Sequence, residues 1–187
     1  MEGPTHHLLG AAAGLALASG LHWSPLRTGI AIVLAAAVAG GPLSPDLDQS
    51  WGWRKADRLA PDEALGYGGP MRHRGITHWW GLPASVLALV PLVTPDVRWA
   101  VLALLAGWCS HLAGDFVFGK RDVRSHRHAG IPLYPWWGHI GIGLDTGGSL
   151  ELLTRSLVLP VLLAVQALYA LHWIRPISSF IRGLLPT

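Results

Sequence analysis

The chain has 187 residues, about one domain's worth, with 51% apolar residues, 13% charged residues and a mean hydropathy of +0.38. A soluble domain carries about 25% charge, so this balance argues against disorder, a coiled coil and an ordinary soluble enzyme, and brings the bilayer forward as the reference solvent. The single cysteine, Cys109, excludes an internal disulfide framework and any multi-cysteine metal site, while the net charge of +3 is modest and no nucleic-acid motif accompanies it.

Five stretches lack Asp, Glu, Lys and Arg: residues 3–26, 28–45, 75–95, 99–114 and 156–174. A helix crossing the hydrocarbon core needs roughly 17–25 apolar residues. The five stretches therefore predict an all-α, multipass membrane bundle of about five spans with two long loops on one side, forming a single domain over residues 1–187. The first stretch is rich in Gly and Ala, which suits close helix packing. It has no basic segment before its apolar run, unlike a signal peptide, and Thr5 is the expected helix cap. The second is broken at its end by Gly40-Gly41-Pro42 and Pro45. The third and fourth flank Thr94-Pro95-Asp96 and read as an antiparallel helix pair. The fifth has Pro160 near its start and Trp173 near its end, both ordinary in a membrane helix. The competing reading is a buried soluble helical bundle.

The loops set an orientation. Five spans put residues 44–80 and 115–155 on the same side as residue 1. That side holds Arg54, Lys55, Arg58, Arg72, Arg74, Lys120, Arg121, Arg124, Arg127 and Arg155, and the other holds Arg27, Arg98, Arg175 and Arg182. Positive charge accumulates on the cytoplasmic side, so the richer side is expected there. Its basic loops suit anionic lipid headgroups.

The same side collects acids and histidines at its membrane ends: His6 and His7, Asp46 and Asp48, His73 and His78, His111 and Asp115. These residues were not used to draw the topology, so their convergence independently favours a shared site. His111 and Asp115 are four apart and share one helix face, where a polar pair near an apolar span is costly without a partner or a function. Asp46 and Asp48 point the same way on an extended connector. Gly75 permits a tight turn that brings His73 and His78 together. Singly, each piece has a plainer reading: an acidic turn, a basic loop, or a hydrogen bond between helices. His22 and His172 fall at the opposite ends and read as interface residues. His126, His128 and His139 fall in a polar loop, and Cys109 is expected to be buried and inert. Carboxylates with imidazoles suit Zn²⁺, Mn²⁺ or Fe²⁺. Such a ligand surplus allows one ion per chain or two, about 3.5–4 Å apart.

The segments THHLLG (5–10), GGPLSPDLD (40–48), HRGITH (73–78), HLAGD (111–115) and GIPLYPW (130–136), in this order, resemble the YdjM-type family of membrane-bound metal-dependent hydrolases, also described as LexA-regulated inner-membrane proteins. The resemblance covers roughly residues 5–140 and the closing helix. It implies a small multipass inner-membrane protein with a hydrolytic metal centre. By motif position it points to His7, Asp46, Asp48, His73, His78, His111 and Asp115 as ligands, with His6 as a neighbour. The family's usual serine after the second loop histidine is Trp79 here, a departure expected to alter pocket shape.

The chemistry expected is metal-dependent hydrolysis of an ester or phosphoester, with Zn²⁺ or Mn²⁺ the leading ions. An uncoordinated Asp, Asp46 or Asp115, would accept the water proton, and His78 or His73, if not fully ligated, would instead orient or protonate the leaving group. Arg72 or Arg74 would clamp a phosphate. A site at membrane depth beside basic loops favours an anionic or phosphorylated lipid over a soluble sugar. The alternatives are a divalent-metal transporter, with ligands at several depths, and a non-catalytic membrane scaffold with a structural metal site.

Overall fold

The computed structural model describes residues 3–46, 75–118, 130–134 and 137–170, and for 137–139 the backbone alone. Asp48, Arg72, His73, Arg74, His126, His128 and His172 lie outside the described residues. The elements in chain order are α1 (Gly3–Gly20), α2 (Pro25–Gly40), α3 (Gly81–Leu89), α4 (Pro95–Phe118), the strands β1 (Ile131–Tyr134) and β2 (Trp137–Ile140), and α5 (Ser149–Ala170). Single 3₁₀ turns lie at Ile76–His78 and Val90–Leu92, and a π turn at Thr154–Val158 lies inside α5.

α1 starts before Thr5, which is buried within its first turn rather than capping it; Pro4 sits where a missing N–H costs nothing. After α1 the chain turns through His22, which takes a left-handed backbone (φ 55°), and restarts at Ser24. Pro25 follows as the first helical residue, and the Arg27 N–H donates to the Ser24 hydroxyl. The two helices then run back to back at very short range. A Cβ on Gly10 would fall 2.5 Å from the Ala35 carbonyl oxygen, and one on Gly14 would fall 2.8 Å from that of Ala31. α4 packs beside α1 on the same face of α2, where a Cβ on Gly107 would collide with the same Ala35 oxygen. The Ala31, Ala35 and Ala39 face of α2 is therefore packed against the small-residue faces of α1 and α4, as membrane helix interfaces favour. These contacts bring the start of α1, the end of α2 and the last third of α4 to one end of the bundle.

α3 runs antiparallel to α4, as the sequence predicts. The Trp108 indole N–H donates to the Thr77 carbonyl at one end, and the Arg98 guanidinium donates to the Pro91 and Val93 carbonyls at the other. Among the described residues two helices, α4 and α5, are long and apolar enough to cross a membrane, and α2 and α3 belong to shorter apolar pieces. The five spans expected go beyond these two. α2 has 16 residues, roughly 24 Å of helix against a core of about 30 Å. The third stretch breaks at Val90-Pro91-Leu92 into a shorter piece.

In the predicted second loop, residues 115–155, the described residues include helix and strand. α4 continues to Phe118, and α5 begins at Ser149, ahead of the charge-free stretch, because it tolerates Glu151 and Arg155 in its first turns. Glu151 is buried and accepts the Gly147 N–H. Between them β1 and β2 pair antiparallel, an addition to the all-helical expectation. Gly130 enters the hairpin at φ 100°, a backbone that favours glycine. The segment after β2 caps α4. Ile142 and Leu144 N–H donate to the Phe116 and Val117 carbonyls, and the Thr146 hydroxyl donates to that of Phe118.

Candidate metal centre

The end of the bundle where α1 starts and α2 finishes buries an unusual set of polar side chains. His6, His78, His111 and Asp115 are exposed by 1%, 0%, 0% and 2%, and Asp46 by 35%. Each arrives there for a local reason. His6 lies four residues before Gly10 and eight before Gly14, on the face of α1 that packs against α2. His111 lies four residues after Gly107, on the corresponding face of α4, and Asp115 follows one turn later. Asp46 is held by a serine turn, its N–H donating to the buried Ser44 hydroxyl. His78 ends a 3₁₀ turn that Trp108 pins to α4.

Asp46 and Asp115 both aim at the facing His78 and His111 rings. The His78 and His111 Nε2 atoms are 3.1 Å apart. Asp46 Oδ1 lies 3.3 Å from His78 Nε2 and 3.8 Å from His111 Nε2. Asp115 Oδ2 lies 3.5 Å and 3.7 Å from the same two atoms. Ligands held about 2.0–2.2 Å from a tetrahedral ion are necessarily about 3.3–3.6 Å apart. The observed separations bracket that range.

Protonation fits as well. His111 Nδ1 is 2.6 Å from the Ala39 carbonyl, which can only accept. Nδ1 therefore carries the proton, and a neutral ring presents a bare Nε2 to the cluster, the orientation that metal-ligating histidines adopt. The Thr77 hydroxyl lies 3.0 Å from His78 Nδ1 and likewise leaves Nε2 facing inward. Burial pushes the Asp46 carboxyl up. A hydrogen bond from a protonated His78 and the charges of protonated His78 and His111 rings outweigh that and hold it at about 2; the neutral rings that ligate an ion supply neither. Two imidazole nitrogens with two carboxylate oxygens are a donor set for Zn²⁺ or Mn²⁺.

The structure brings His6 into the cluster and leaves His7 outside it. His6, the predicted neighbour, stacks on His111 with ring centroids 4.0 Å apart and 15° between the planes, and its Nε2 is 3.3 Å from Asp115 Oδ1. His7, the predicted ligand, is about 100° further round α1. Its ring is exposed, and Nδ1 donates to the Ala36 carbonyl in the last turn of α2 over 3.1 Å. His6, Asp46 and His111 bring ligand atoms within 4.8 Å of one another, and so do His78, His111 and Asp115. The signal for His6 was present as the spacing of positions 6, 10 and 14, a small-residue face continued by a histidine. Ser44 and Thr77, which orient the ligands, were not singled out.

Trp79, the departure from the family pattern, joins the site to the hairpin: its indole N–H donates to the Leu133 carbonyl over 2.9 Å. Cys109 faces outward and is exposed, against the expectation of burial, because it stands two residues from His111 and so on another face of α4.

The profile of the YdjM inner membrane protein family matches residues 1–178. No curated protein and no solved structure gives a match. The match covers nearly the whole chain, and the chain belongs to this family of inner membrane proteins.

Proposed function

We propose that this member of the YdjM inner membrane protein family is a metal-dependent hydrolase of an ester or phosphoester, with an ion held by His78, His111, Asp46 and Asp115. The observation that carries the reading is the convergence of Asp46 and Asp115 on the facing His78 and His111 Nε2 atoms, at 3.1–3.8 Å, in an otherwise apolar bundle. A bound Zn²⁺ or Mn²⁺ supplies Lewis acidity, lowering the pKa of water and polarising a carbonyl or phosphoryl oxygen.

The residues divide the remaining work. His78 and His111 are fully buried and have their outer nitrogens engaged, so they position rather than transfer protons. Asp46 is the member of the cluster open to the outside, which places it to accept a proton from water when it is not bound to the ion. That opening also favours catalysis over a closed structural site. Arg72 and Arg74 stand within six residues of His78 in sequence, and one of them is the proposed phosphate clamp. The basic loop residues and the apolar surroundings favour an anionic or phosphorylated lipid as substrate. Five crossings, with the site toward the cytoplasm, would put the richer set of Lys and Arg inside.

The test is hydrolysis by the purified full chain, stripped with chelator and restored with Zn²⁺ or Mn²⁺. The probes are a chromogenic phosphodiester and a phospholipid in mixed micelles. Turnover that needs the ion and falls at least about 100-fold in Asp46→Asn supports the reading. Bound ion with no turnover of either probe, in parent and variant alike, would favour the scaffold alternative.

A further inference from the structure

We infer that the site holds two cations, the second between His6 and Asp115, with the Asp115 carboxylate bridging the pair. The inference rests on the metal-dependent reading above and extends it to a side chain outside the four-residue set.

Three observations carry it. First, Asp115 is two-faced: Oδ2 turns toward His78 and His111, at 3.5 Å and 3.7 Å from their Nε2 atoms, while Oδ1 turns toward His6 Nε2 at 3.3 Å. Second, the His6 and His111 rings are stacked 4.0 Å apart and nearly parallel, and both Nε2 atoms face that one carboxylate. An imidazole binds an ion in its own plane. Two parallel rings at this spacing, aimed the same way, therefore present two ion positions separated by about the ring distance. Ions in two-metal hydrolytic sites lie about 3.5–4 Å apart. Third, His6 is buried, and neither of its ring nitrogens makes a hydrogen bond among the described residues. A buried imidazole without hydrogen bonds is costly, and ligation would satisfy it. Asp46 belongs to the group around His6 as well as lying beside His78, so it faces both positions.

His7 supplies an internal control. It is the adjacent residue with the same side chain, and its Nδ1 is spent on the Ala36 carbonyl.

The experiment loads the full chain in detergent with Mn²⁺ and reads the number of ions per chain by elemental analysis. Spin coupling between the ions is read by electron paramagnetic resonance. The parent and His7→Ala should each bind about two ions and show a coupled signal. His6→Ala should bind about one ion with an uncoupled signal, and so should His6→Phe, which keeps a ring against His111 but has no nitrogen. The ion retained in those variants shows that they are folded, so the loss cannot be assigned to unfolding. About one ion in the parent, or about two coupled ions in both His6 variants, would overturn the inference while leaving the single-ion reading intact. No ion in the parent would overturn both.

Discussion

The two ends of the helical bundle use similar residues to opposite effect. At the end formed by the α1–α2 and α3–α4 turns, Arg98, Arg27 and Trp23 find their partners locally. Arg98 donates to the Pro91 and Val93 carbonyls, Arg27 lies over the Trp99 ring at 5.8 Å, and Trp23 meets Trp99 edge to face. Each group meets the backbone or an aromatic ring close by, as interfacial residues do. At the other end His6, His78, His111, Asp46 and Asp115 come from four separate segments and face one another. Burying imidazoles and carboxylates is costly unless they gain a partner, and an ion would satisfy all of them together. The contrast shows that a histidine at a membrane end says little by itself. What distinguishes a site is that its neighbours are non-local.

The largest effect that would break this contrast is expected from His111→Ala. It removes a ligand atom and the bond to Ala39 together, so bound ion should fall from stoichiometric to near none. Retention of a full complement of ion in a folded variant would show that the two ends do not differ as described. Acidification comes next. Imidazole ligates in its neutral form, so protons compete with the ion. Retention should be full at about pH 8 and fall as the pH is lowered, measured by dialysis against a metal buffer at each pH. Retention that does not fall before the chain unfolds would leave the histidines out of the ligand set.

A smaller effect separates packing from ligation. Gly107→Ala and Gly14→Ala both force α2 away from a neighbour, and each should cost about 1–3 kcal/mol in a chemical or thermal unfolding series. Gly107 is one turn before His111, so its variant should also weaken ion binding, while Gly14→Ala should not. Equal effects on binding would mean that the α2–α4 contact does not position the site. The smallest effect is expected from Arg98→Ala, at the opposite end. It removes two hydrogen bonds to carbonyls and should lower stability by about 1–3 kcal/mol, with ion content unchanged. A loss of ion there would couple the two ends.

Much of the helical order was legible because charge-free runs and breaking residues are read one segment at a time. The α3–α4 pair around Thr94-Pro95-Asp96 is an example. α5 was read too short because charge marked the boundary. Glu151 is nonetheless buried in its first turn, where it meets the Gly147 N–H. Asp46, His78, His111 and Asp115 were legible as a group because they share one end of the topology. Choosing between His6 and His7 required knowing which face of α1 meets α2. The motif alone pointed to His7, whereas the Gly10 and Gly14 spacing pointed to His6. The hairpin was not foreseen. Its strands have four residues each, and its ties to the rest run through Trp79 and the last carbonyls of α4, contacts that no local pattern encodes.

The most direct measurement is elemental analysis of bound metal per chain for the full-length protein without a His tag, purified in mild detergent. The comparison is a doubly substituted Asp46→Ala, His111→Ala variant that elutes as the same folded species. About one or two equivalents in the parent and near none in the variant is the predicted result. A parent that binds no ion after incubation with Zn²⁺ or Mn²⁺ would contradict the account and leave the cluster as helix-end packing or a proton path.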